Sequence, residues 1–141
     1  MNVTILFIAA TIGAPALKDK PPAEASLKGE WKVESRLDHG TPSTDTNIWI
    51  FSDGGVAVIR DPTSESVRSH LTYTVSAGGS VKEIDFLEGQ MLLLRGNPRQ
   101  GIYKIEGDTL TLSFTCGRSP RPTSFDRSTE GYLIVLKRVK K

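Results

Sequence analysis

The sequence predicts an all-β protein, a single antiparallel up-and-down meander closed into a small barrel of about eight to ten short strands. Three observations carry that expectation. Glycine-marked reversals recur at hairpin spacing, at Asp53-Gly54, Gly78-Gly79, Glu88-Gly89 and Gly107-Asp108. Between them apolar and polar residues alternate with a period of two, the period of a strand with one buried face. Beyond residue 26 no stretch repeats apolar residues at helical spacing. A meander without helices to cover its edges removes them by closing on itself.

Residues 1–26 read as a signal peptide and linker, and 27–141 as the barrel domain. The first seventeen residues carry no charged side chain, and Val3 to Ala16 is an apolar run too short for a comfortable membrane span. Ala14-Pro15-Ala16 and Ala23-Glu24-Ala25 are the candidate cleavage signals, although the segment lacks the Lys or Arg that usually precedes such a run. The other reading is a first strand or helix of the domain. Lys18 to Ala25 is charged and proline-bearing, with nothing to bury.

Glu30 to Asp38 is the first strand, with Trp31, Val33, Ser35 and Leu37 on one side and Lys32, Glu34 and Arg36 on the other. A polar loop from His39 to Asn47 leads to a hairpin turning at Asp53-Gly54. Its two-residue turn sets Phe51 against Val56 and Trp49 against Val58. The opposite face pairs Ile48 with Ile59 and Ile50 with Ala57, so both faces are apolar and the outer one calls for a cover. After a polar loop from Asp61 to Ser69, the Gly78-Gly79 turn places Leu71 against Phe86 and Tyr73 against Ile84. Thr72, Thr74, Glu83 and Asp85 then lie outside. The Glu88-Gly89 turn sets Met91 opposite Phe86 and Leu93 opposite Ile84.

Gly101 to Phe114 is the clearest hairpin. Turning at Gly107-Asp108, it faces Ile105 with Leu110, Tyr103 with Leu112 and Gly101 with Phe114 on the apolar side. Lys104 with Thr111 and Ile102 with Ser113 take the other side. Gly117 to Pro122 breaks the ladder, Thr123 to Asp126 reads as a short extended piece, and Tyr132 to Arg138 is the last strand before a basic tail.

The 141 residues suffice for one domain with a real core, and a formal charge of +2 argues against a nucleic-acid footprint. One cysteine excludes an internal disulfide, and no second apolar run points to an integral membrane span. No phosphate-cradling loop, HExxH or GxSxG motif is present. His39 and His70 read as solvated, and Cys116 shares the inward parity of Leu110, Leu112 and Phe114. Glu83 with Asp85, and Asp53 with Asp61, read as solvated charges rather than acid pairs. The register gathers no polar set inside the barrel. Arg95, Arg99, Arg118, Arg121 and Arg127 border the last hairpin, where a shared anion site competes with ordinary loop pairing.

Leu27-Lys28-Gly29-Glu30-Trp31, Gly101-Ile102-Tyr103, Gly107-Asp108-Thr109-Leu110, Arg121-Pro122-Thr123-Ser124-Phe125 and Leu136-Lys137-Arg138 resemble a small domain recurrent in planctomycete bacteria, a family with no assigned activity. The resemblance spans Leu27 to Arg138 and implies kinship of fold, with no catalytic residues to carry over. Gly29 and Trp31 near the start and Arg138 near the end are also similar to lipocalin-like barrels. That similarity implies a latch in which the Arg138 guanidinium covers the Trp31 indole, worth about 0.5–2 kcal/mol.

The expected function is that of an exported, non-catalytic binding module, without cofactor or metal. It would hold a small apolar ligand or peptide among Trp31, Trp49, Phe51, Tyr73, Phe86 and Tyr103. The alternative is a structural or interaction domain with a filled barrel, docking a protein partner on the doubly apolar Ile48 to Ile59 hairpin. Cavity volume separates the two.

Overall fold

The computed structural model describes residues 26–77, 81–88, 99–115, 119–126 and 131–140. The signal segment and its cleavage signals, Cys116, Arg95, Arg118, Arg127 and the Met91–Leu93 strand of the sequence reading lie outside them. Among the described residues there are nine strands: β1 (Gly29–Asp38), β2 (Thr41–Pro42), β3 (Ile48–Ser52), β4 (Val56–Arg60), β5 (Val67–Ser76), β6 (Lys82–Glu88), β7 (Arg99–Glu106), β8 (Thr109–Thr115) and β9 (Gly131–Arg138). Each of β3 to β8 pairs antiparallel with its successor, and β1 pairs with both β3 and β9, which closes an eight-stranded barrel. The ninth strand, β2, extends the ladder beside the last two residues of β1. No described helix is long and apolar enough to cross a membrane.

The β7–β8 hairpin has the register its turn chemistry dictates, from Glu106 opposite Thr109 to Gly101 opposite Phe114. Gly107 takes φ +61°, the left-handed conformation such a turn requires. The β3–β4 hairpin departs from expectation by one residue. Gly54 and Gly55 both take positive φ, so the turn is longer and Phe51 faces Ala57 while Trp49 faces Ile59. A one-residue slip reverses faces. Ala57 is therefore fully buried, while Val56, expected inside, is 40% exposed. Gly55 is also held close to β5, accepting a hydrogen bond from the Tyr73 N–H at 2.7 Å.

The β5–β6 pair is shifted by two, with Tyr73 opposite Phe86 and Val75 opposite Ile84. A shift of two preserves the faces, so Leu71, Ile84 and Phe86 remain buried. The other edge of β6 is taken by β7, so Phe86 faces Arg99 and Ile84 faces Gly101 rather than Leu93 and its neighbours. Residues 123–126 form no strand; with 119–122 they run along the outside of β6–β8. There Arg121 Nη1 donates to the Gly101 carbonyl at 2.9 Å, and the Thr115 hydroxyl donates to the Pro120 carbonyl at 3.1 Å. Lys104 Nζ stands 4.9 Å from the Phe125 ring. Ile102 and Ser113, on that outer face, are buried.

One end of the barrel is packed shut. Trp31, Phe51, Ile84, Leu110, Leu112 and Leu136 are all 0–1% exposed, with Leu27 folded beneath them. The Trp31 indole N–H donates to the Leu27 carbonyl at 2.8 Å. The Arg138 guanidinium lies 4.1 Å from the Trp31 ring and donates to the carbonyls of Lys28 and Ser26.

Gly101 tests the packing. A Cβ there would stand 2.6 Å from Phe114 Cβ and 2.7 Å from the Ser113 carbonyl oxygen. Gly101→Ala is expected to cost about 1–3 kcal/mol by overpacking, read as a lower urea midpoint at unchanged slope.

Candidate functional site

The opposite end is built differently. In an up-and-down barrel the end of β1, the starts of β3, β5, β7 and β9 and the ends of β4, β6 and β8 meet at one rim. The inward positions there enclose a pocket of about 230 Å³. Its floor is apolar: Trp49, Phe86, Phe114, Leu71 and Ile59. Trp49 and Phe86 meet edge to face at 5.8 Å, as do Phe86 and Phe114 at 5.5 Å, a geometry the ring quadrupoles favour. Its walls are polar: Arg36, Asp45, Asn47, Arg68, Ser69 and Arg99.

Three backbone features deliver those arginines. On β1 the pairing with β9 skips Glu34, so Val33 faces Leu136, Ser35 faces Val135 and Arg36 faces Ile134. This bulge inverts the alternation. Arg36 turns inward with the fully buried Ile134, and Leu37 turns out, the reverse of the expected parity. On β5 a second irregularity skips Arg68, with Ile59 opposite Ser69 and Arg60 opposite Val67. Arg99 arrives by plain register, opposite the inward Phe86. A polar set therefore does gather inside the barrel, against the expectation from uniform alternation.

Arg36 anchors the set. Its Nη1 donates to Asp45 Oδ2 at 2.7 Å, its Nε donates to Asp38, and its guanidinium lies 5.1 Å from the Tyr132 ring. Burial works against its charge, but the two carboxylates outweigh that and hold its pKa above the ordinary value. The Asp45 side chain is only 6% exposed, and its second oxygen accepts the Asn47 N–H. At the rim Arg68 Nη2 donates to Asp61 Oδ2 at 2.8 Å. The Trp49 indole N–H is buried and finds no acceptor among the described residues.

Of the aromatic residues singled out from sequence, Trp49 and Phe86 meet at this pocket. Trp31, Phe51 and Tyr103 pack toward the closed end, and the Tyr73 hydroxyl is spent on the Ser52 carbonyl at 3.0 Å. Arg99 and Arg121 do not share a site. Arg99 faces the interior, whereas Arg121 lies outside, 2.8 Å from Asp85 and 3.7 Å from Glu83. That pairing also corrects the reading of Glu83 and Asp85 as simply solvated. His39 sits in the β1–β2 turn at φ +52° with its ring 5.4 Å from Tyr132, and His70 is exposed on β5. No His, Cys, Asp and Glu group suited to a metal occurs among the described residues.

No protein-family model matches the chain, and no curated protein is significantly similar to it.

Asp61 makes the rim sensitive to acid. Its carboxylate accepts the backbone N–H of Ser64, the Arg68 guanidinium and the N–H of Thr63, which hold its pKa well below the usual carboxylate range. A pKa depressed by folding contributes stability above the unfolded value, about pH 4, that is lost as pH falls toward the folded one. Carboxyl NMR titration is expected to show Asp61 ionised below that pH. Asp61→Asn should flatten the acid limb of the stability profile.

Proposed function

We propose that this protein is a non-catalytic binding module that holds a small apolar molecule in the open end of its barrel. One observation carries the reading: a barrel whose lower half is packed to exclusion keeps about 230 Å³ at the rim, over an aromatic floor. A filled structural barrel has no reason to keep such a space, since voids cost the contacts their linings lose. The volume sets the ligand's size. A cavity of about 150 Å³ accepts benzene. Sites for drug-sized ligands run to roughly 300–1,000 Å³. A single substituted ring or a short branched chain fits between those limits.

The uncharged opening run from Val3 to Ala16 supports export. Native mass spectrometry of the protein from its own host is expected to show two things together: a chain starting near residue 26, and an adduct the mass of a small organic molecule. Ser69 sits at the rim, inward opposite Ile59, and Ser69→Trp should fill the space. The variant is expected to lose the adduct while retaining the far-UV spectrum of the parent. Bare parent protein from its host would remove the binding reading.

A further inference from the structure

We infer that the pocket selects a single-ring compound carrying one carboxylate, the ring on the Trp49–Phe86–Phe114 floor and the carboxylate toward Arg68, Arg99 and the Trp49 N–H. This deepens the binding reading above and rests on it.

Hydrogen-bond capacity leads to the head group. Indole and guanidinium donate and cannot accept. The Trp49 N–H is buried without an acceptor among the described residues, on a ring that lines the pocket and is 3% exposed. A guanidinium carries five N–H donors, more than one carboxylate pairing consumes. Among the described residues Arg68 donates to Asp61 through Nη2 alone. Each Asp45 oxygen, by contrast, already accepts a bond, from the Asn47 N–H and from Arg36. The walls thus offer donors in excess, and the complementary ligand end is an acceptor. A carboxylate accepts at both oxygens and matches the planar guanidinium fork.

Charge limits the ligand to one such group. The lining holds three arginines and one aspartate. Asp38 and Asp61, paired to Arg36 and Arg68, bring the count to three of each sign. These carboxylates already offset much of the arginines' charge, so each further negative charge on a ligand is attracted less and a monoanion is opposed less than a phosphate-rich ligand.

The test uses the full chain and three phenyl compounds of similar size, the isosteric phenylacetate and phenylacetamide and the cationic phenethylamine, followed by calorimetry at neutral pH. Charge-assisted hydrogen bonds predict phenylacetate binding about tenfold or more tighter than the amide, with the amine weakest. Trp49→Phe keeps a ring and deletes the N–H; Arg99→Gln deletes the fork. Each should reduce the acid's advantage over the amide by roughly tenfold, with near-UV spectra confirming folded protein. Equal affinity for acid and amide overturns the carboxylate inference and leaves the pocket reading standing. Failure of all three to bind, or binding indifferent to Ser69→Trp, overturns the pocket reading itself.

Discussion

Closure of β1 onto β9 is the constraint from which the rest follows. β1 is a neighbour to β3 through its first residues and to β9 from Trp31 to Asp38, so the sheet has no free edge around the barrel. Trp31 stands where these pairings meet, opposite Trp49 on one side and Arg138 on the other. A guanidinium over an indole contributes about 0.5–2 kcal/mol. Its further bonds to the carbonyls of Lys28 and Ser26 bring the entering chain across the end, where Leu27 is buried. One residue pair thus joins first strand to last and seals the bottom. An eight-stranded barrel is just wide enough for its own side chains to fill. Sealing one end with large rings leaves the other as the place where space can remain.

That space is polar because the strands are irregular there. Strict alternation would have put Ser35 and Leu37 inside β1, continuing the oily interior to the rim. The extra residue at Glu34 brings Arg36 in instead, while at the β5 irregularity the skipped Arg68, its side chain 58% exposed, reaches the edge of the pocket. Bulges cluster at barrel rims because local twist and altered facing cost little where the ladder ends. Here they separate an apolar lower interior from a mouth that can orient a polar group.

Most of the fold was legible in the chain, and the errors have one physical source. Gly107 and Asp108 permit a single tight turn, so the β7–β8 register followed from local chemistry alone. At Asp53-Gly54-Gly55 two consecutive glycines allow a longer turn, and nothing local decides between them. The close approach of Tyr73 to Gly55, a tertiary contact, does decide. For β5–β6 the register was off by two but the faces survived, because the error was even. The bulges were invisible for a related reason: an extra residue is defined only against a partner strand. Arg36 therefore read as an outside residue, and the pocket's polar wall with it. The buried outer face at Ile102 and Ser113 was missed likewise, since its cover, residues 119–126, forms no regular element.

The half-buried Arg36 is the strongest reason to regard the mouth as more than an unfinished end. Withdrawing a guanidinium and a carboxylate even partly from water costs free energy, and well-packed apolar residues often serve stability as well or better. A Leu at position 36 facing Ile134 would satisfy the core pattern. Arg36 is instead held by Asp38, Asp45 and the face of Tyr132, each from a different part of the chain. What such a network supplies is fixed orientation: a charged rim whose side chains are already ordered before anything enters. Preorganisation of that kind reduces the entropy lost on binding. In the binding role proposed above, it would give a small pocket, with few atoms available for contact, a way to discriminate between ligands of equal size by their polar ends.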